Sequence, residues 1–194
     1  MTAGISSARR PEPDLMRFAA FFRNVNLGRP GKPTREQFVQ AFEAAGGAGV
    51  RSFLTHGNAV FSASGKRAAQ AVLRDACQRL EDVCGLAEPA FLRSLDSLAK
   101  LVASDPFADG PDDDIYERCV TFVPPKAVPL LELPAINARR DVEIFAAGEA
   151  EFLSVSRKFT ASPGSPNAWL ERTLGMDATT RAWNTVVRIS RLED

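Results

Sequence analysis

The apolar positions change period several times along the chain. Residues 17–23, RFAAFFR, form a Phe-rich apolar run, and the polar, glycine-bearing stretch NVNLGRPGKP follows; this predicts a buried strand and then a long loop. Pro33 and Thr34 open a helix. Thr34 and Gln37 have capping-box spacing, Phe38, Ala41, Phe42 and Ala45 recur at helical intervals, and Gly46-Gly47 stops the run. Short strands at 50–54 and 59–63 flank THGN, whose Gly57-Asn58 is turn chemistry, so a hairpin is expected. Ser64 is the expected cap of the next helix. Ala69, Val72, Leu73, Ala76, Leu80 and Val83 share one face of it, and Gly85 ends it. A strand at 90–93 follows Pro89, and Ser94 caps a helix bearing Leu95, Leu98, Leu101 and Val102. Strand, helix, strand, strand, helix, strand is the ferredoxin-like split βαβ order, which makes the fold class α+β.

The segment DPFADGPDDD carries five Asp and no basic residue, the composition of a linker or exposed loop. Beyond it the theme returns less regularly. Residues 116–123 read as a strand, and 127–136 as a short helix weakened by Pro129 and Pro134. Residues 141–147 and 151–156 flank a GEAE turn as a second hairpin. Pro166 and Gly175 bracket a helix. From Thr179 a C-terminal helix is expected, with Ala182, Trp183, Val186 and Val187 at helical spacing. The organisation expected is a disordered leader at 1–14, a ferredoxin-like α+β subdomain at 15–104, an acidic linker at 105–115 and a second, related α+β subdomain at 116–194. Such an arrangement is a structural duplication rather than a sequence repeat.

Composition narrows the function classes. At 194 residues, 45% hydrophobic and 25% charged, the chain can bury a core without metal or disulfides. Its 24 basic and 24 acidic residues cancel, which argues against a general polyanion or nucleic-acid binder. The cancellation conceals a split: residues 1–97 hold 13 basic and 9 acidic side chains, and residues 98–194 hold 11 and 15. Opposite signs help two halves dock. No apolar run reaches the length of about 20 residues that a membrane span needs, and residues 1–14 lack the apolar core of a secretory signal. Three cysteines make no disulfide framework and suit a reducing cytoplasm; Cys77, Cys84 and Cys119 read as small core residues. The single histidine, His56, removes any site needing two, and with no CxxC, GxGxxG or GxxxxGK[ST] no metal or cofactor is expected.

Four segments are candidates for chemistry. The loop Arg23-Asn24-Val25-Asn26-Leu27-Gly28-Arg29-Pro30-Gly31-Lys32 follows a strand and runs into a helix N-terminus, where free amides and the helix dipole favour anions. Between residues 15 and 35 there are five basic residues and no acid. The bland alternative is a solvated loop whose Asn24 and Asn26 bond their own backbone. In Thr55-His56-Gly57-Asn58 a hairpin turn competes with a polar contact from Asn58 and acid–base work by His56. Arg157-Lys158 follows the second hairpin in the acidic half, where the alternative to ligand binding is pairing with carboxylates. Arg181, in Thr179-Thr180-Arg181-Ala182-Trp183-Asn184-Thr185, is expected in a first helical turn, an unfavourable place for a cation unless an anion or carboxylate answers it.

FFRNVNLG, then a helix ending AAGG, then VRSFLTHGNAVF, together with the closing TTRAWNTV, resemble a widespread bacterial family, domain-of-unknown-function family 1697, over about residues 16–190. The resemblance implies an α+β protein with a ferredoxin-like part, a related second part and no known activity. Asn24 stands where the family usually has Gly, Pro30 is an extra residue in the loop, and Ala182 replaces an Asn. The family's basic segment before its last two helices corresponds to Arg157-Lys158.

These readings converge on a cytoplasmic monomer or weak dimer that binds a small anionic, phosphorylated ligand. Arg23, Asn24, Asn26, Gly28 and Lys32 would form the pocket, with Asn58 and Arg181 flanking it and Arg157 and Lys158 as a further basic pair. Two other classes compete. An acylphosphatase-like hydrolase would use Arg23 and Asn58, by fold analogy alone. A nucleic-acid module would display aromatics on a central strand, where AVFSA offers only Phe61.

Overall fold

The structure, a computed structural model, describes residues 15–192; the leader expected at 1–14 lies outside them. Among the described residues two antiparallel sheets and five α-helices form a mixed α+β fold. In chain order the first half is β1 (Met16–Phe22), α1 (Arg35–Ala44), β2 (Ala48–Phe53), β3 (Asn58–Ala63), α2 (Lys66–Cys84), β4 (Ala90–Ser94) and α3 (Leu95–Ala103). The second is β5 (Ile115–Phe122), a 3-10 turn (Pro125–Leu130), β6 (Ala135–Ile136), β7 (Val142–Ala147), β8 (Glu151–Arg157), α4 (Pro166–Leu174), β9 (Thr179–Ala182) and α5 (Trp183–Ser190). The strand orders are β2-β3-β1-β4 and β6-β7-β8-β5-β9.

β1 is central and buried on both faces, so its run is apolar throughout rather than alternating. Phe18, Ala20 and Phe22 face α1 and α2, where they join Phe38, Phe42, Phe61 and Leu80. Ala19 and Phe21 point the other way, into a core shared with the second sheet's Val120, Phe122 and Leu153. Phe21 and Phe122 stack across this boundary, centroids 4.3 Å apart. Helices α3 and α5 supply Leu95, Leu98, Val186 and Ile189 to the same core. A third cluster, with Ile144, Phe152 and Leu170, lies under α4 and the 3-10 turn.

Local signals set several boundaries. Thr34 Oγ1 accepts from the Gln37 amide and the Gln37 side chain accepts from the Thr34 amide, a complete capping box. Ser94 and Ser165 cap α3 and α4 through side-chain oxygens, and Gly85 and Gly175 end α2 and α4 in the left-handed region.

The structure corrects five expectations. Residues 179–182 are strand β9, not helix: they pair with β5, and Thr179 and Arg181 are buried while Thr180 and Ala182 are less so, the period of a strand. The helix starts only at Trp183. Ser64 does not cap α2; Gly65 does, with no side-chain bond. Val83 is 60% exposed, although Leu80 and Cys84 of the same helix end pack on the first core. The short helix expected over 127–136 is a 3-10 turn followed by the two-residue strand β6, the prolines having broken helical bonding. Asn58 is the first residue of β3, not a turn residue. The acidic segment lies largely at the surface, with Phe107 alone of its residues buried, against Phe145 and Trp183. No helix among the described residues is long and apolar enough to cross a membrane.

Candidate functional site

A cleft of about 850 Å³ opens where the loop after β1, the β2–β3 turn, α4 and β9 meet. That volume lies in the range of small-molecule sites. Its wall is built by alternation in the loop: Val25 and Leu27 are buried in the first core, so Asn24 and Asn26 turn outward to the cleft. The Leu27 amide donates to Thr55 O, tying the loop to the hairpin turn. Asn24 has φ +49°, a conformation that Asn tolerates and Gly prefers. Gly57 is required for a second reason. It has φ +64°, and a Cβ there would lie 2.6 Å from Val25 Cβ.

Arg23 and Arg181 both line the cleft, in opposite states. Arg23 is partly exposed and saturated with carboxylates: Nη1 donates to Glu88 Oε2 at 2.9 Å, Nη2 to Glu171 Oε2 at 3.1 Å, and Nε to Glu171 Oε1. Lys32 Nζ stands 4.0 Å from Glu88 Oε1. Burial pushes the Glu171 carboxyl up, but the hydrogen bonds from Arg23 and the Ala178 amide, with the Arg23 charge, outweigh it and hold Glu171 below the usual carboxylate value.

Arg181 is buried on β9 and reaches into the first half. Nε donates to Asn58 Oδ1 at 2.6 Å, Nη1 to Thr179 Oγ1 at 2.7 Å and Thr180 O at 2.9 Å, and Nη2 to Phe22 O at 2.7 Å and His56 O at 2.8 Å. Every acceptor is neutral, and no carboxylate pairs with Arg181 among the described residues. Burial pushes its pKa down to about 10, so it still carries its charge at neutral pH. Thr179 Oγ1 also donates to Phe22 O, and Thr180 reaches Thr121 at 2.8 Å and Asn167 at 3.4 Å, closing the floor with hydroxyls and an amide.

Of the residues singled out by sequence, Arg23, Asn24, Asn26 and Arg181 come together in the cleft, with Asn58 directly behind Arg181. Gly28 and Lys32 lie outside its lining. Arg157 and Lys158 are elsewhere: Arg157 pairs with Glu143 at 2.8 Å and donates to Asp113 O, and Lys158 lies over the Tyr116 ring in a separate depression. Glu88, Glu171 and Asn167 escaped the sequence reading, because their partners are remote in sequence and no local pattern reports them. Asn58 is fully engaged, its Nδ2 donating to Phe53 O at 2.9 Å, so both members of the hydrolase pair are committed to protein contacts. The face of the first sheet that an RNA-recognition module would display is packed against the second sheet through Phe21 and Val60. Among the described residues no group of three or more His, Cys, Asp or Glu could hold a metal ion.

A family model described as "protein of unknown function (DUF1697)" matches residues 15–152. Comparison with curated proteins found no match. A solved structure of a conserved bacterial protein from Streptococcus pneumoniae is similar with a TM-score of 0.64 and 17% identity, covering 91% of this chain and 98% of its own. At that identity the likeness is one of fold.

Proposed function

Because the chain belongs to the DUF1697 family, whose description assigns no chemistry, we propose its function from its own cleft: it binds a small anionic ligand between the two halves. The observation that carries this reading is Arg181, a buried guanidinium in the cleft wall whose acceptors are all neutral. A buried charge without a counterion leaves a positive field, and a cleft with low-dielectric walls focuses it. The anion seat therefore moves from Arg23 and Lys32, where carboxylates already answer the charge, to the Arg181 end. Asn24, Asn26 and Asn167 supply polar contacts around it.

The same reading takes the halves as two copies of a ferredoxin-like βαββαβ unit, joined by the acidic segment at 105–115. The strand orders support this, since β7-β8-β5-β9 runs in the sense of β2-β3-β1-β4 once edge strand β6 is set aside.

The test is a thermal-shift screen of short carboxylates, hydroxy acids, sugar phosphates and nucleotides. A ligand at one hundred times its Kd adds about 2.7 kcal/mol, or roughly 5 to 10 °C for a chain of this size. The expected result is a shift with an anionic class that Asn24→Ala/Asn167→Ala abolishes. A flat panel, or a shift that survives the double substitution, overturns the proposal.

A further inference from the structure

Two arginines cross between the halves at matching places. Arg93 on β4 lies opposite Ala19 of β1, and Arg181 on β9 lies opposite Val120 of β5. Each stands two residues before the helix that follows, α3 or α5. Arg181 donates to Phe22 O and Arg93 to Val123 O, the carbonyls just after the stacked Phe21 and Phe122. Each also takes a carbonyl from the opposite hairpin, His56 O for Arg181 and Ala150 O for Arg93. Each guanidinium lies over the other half's phenylalanine, Arg93 at 5.0 Å from the Phe122 ring and Arg181 at 5.6 Å from the Phe21 ring.

The match fails at one position. Phe122 is paired across its sheet with Glu151, and Phe21 is paired across its own with Asn58. Arg93 Nε therefore stands 3.6 Å from a carboxylate oxygen of Glu151, whereas Arg181 Nε bonds an amide oxygen of Asn58 at 2.6 Å. One crossing arginine has its counter-charge inside the protein. The other, in the cleft wall, has an amide of similar shape and no charge.

We propose that Asn58 is the specificity-determining residue of the cleft: by standing where the other half carries a carboxylate, it leaves the charge of Arg181 for a ligand monoanion, a carboxylate in the simplest case. This rests on the cleft reading above. The five N–H groups of Arg181 are already donated, so its charge acts through space while the amides of the wall make the hydrogen bonds. Glu171 and Glu117 also line the cleft and repel a second negative charge, which selects a monoanion over a phosphate dianion.

The experiment measures the rise in Tm caused by acetate, and separately by sulfate, at constant ionic strength held with chloride. The wild-type chain is expected to respond to acetate more than to sulfate. Asn58→Asp supplies the missing carboxylate and should cut the acetate increment at least about fivefold, because like charge opposes the ligand where an amide did not. Asn58→Ser, which stays neutral, should keep it. The increment is the readout and not the starting Tm, since Asp also gives up the bond to Phe53 O. Thr179→Asp, which brings a carboxylate to Nη1 instead, carries the same expectation and serves if Asn58→Asp does not fold. If the aspartate variants keep the increment while Asn24→Ala/Asn167→Ala loses it, the role of Asn58 is refuted and the cleft reading stands. If the wild-type chain shows no acetate increment while another anionic class of the panel shifts it, this inference is refuted and the cleft reading stands; if the whole panel is flat, both fail.

Discussion

The two halves cover their sheets differently. In the first, α1 and the 19-residue α2 roof the outer face, and the roof is aromatic: Phe22 meets Phe38 at 5.2 Å and Phe42 meets Phe61 at 5.3 Å. In the second, the nine-residue α4 and a 3-10 turn do the same work with Leu170 and Ala127. At 1.5 Å per residue the two roofing helices, α2 and α4, differ in length by about 15 Å. Where the shorter roof stops, the strands below carry Thr121, Thr180 and Glu117 instead of apolar residues, and the cleft opens there. The contrast shows that a cleft opens where a shorter roofing helix leaves polar strand residues uncovered.

The sharpest test of this difference removes the centre of each roof. Phe42→Ala should cost about 3–5 kcal/mol, whereas Leu170→Ala, a smaller side chain in a thinner layer, should fall near the lower end of about 2–5 kcal/mol. Urea unfolding of both variants measures this, and a larger loss at Leu170 would reverse the ranking of the roofs. The hairpin turns give the next contrast. Gly57→Ala should destabilise by about 2 kcal/mol, because the methyl meets Val25 and the backbone is left-handed. The matching residue of the second half, Ala150, already carries that methyl, so Ala150→Gly should change stability by only about 1 kcal/mol. Equal losses at the two positions would show that turn geometry does not distinguish the halves.

The smallest effect concerns how α4 is held. Glu171 ties this helix to Arg23, and its carboxyl lies below the unfolded value of 4.5. A depressed carboxyl contributes stability above the unfolded pKa and loses it as pH falls through the folded one. At pH 7 Glu171→Gln should therefore be less stable than wild type by about 1 kcal/mol, a figure discounted for partial exposure. The gap should close as the pH falls from the unfolded value of 4.5 through the lower folded one, with the sign following from linkage. Chemical denaturation at pH 7 and pH 3 measures it, and a gap independent of pH would remove the ion pair from the account.

The elements of the first half are legible in the sequence because their signals are local, although Ser64, Val83 and Asn58 are misplaced within them. Phe38, Ala41 and Phe42 give the helical period of α1, Thr34 and Gln37 its start, and the Phe-rich run places β1 within a residue of its observed span. The second half depends on partners. β9 forms because β5 offers it an edge, and the helical spacing of Trp183 and Val186 spread the expected helix back over it. The site divides in the same way. The loop's basic residues were legible, but Glu88 and Glu171, which neutralise Arg23, lie 65 and 148 residues away. The sequence marks Arg181 only as a cation in an awkward place for a helix. Its true setting, a strand crossing into the other half, follows from tertiary pairing alone.

The crossed arginines also bear on how such a chain can change over generations. Each half holds acceptors for the other's guanidinium, so separating the halves would strip Arg93 of Val123 O and Ala150 O, and Arg181 of Phe22 O, His56 O and Asn58 Oδ1. Recombination that separates the halves is penalised at both ends at once. The two arginines therefore couple the halves, and a change at either one is felt in both.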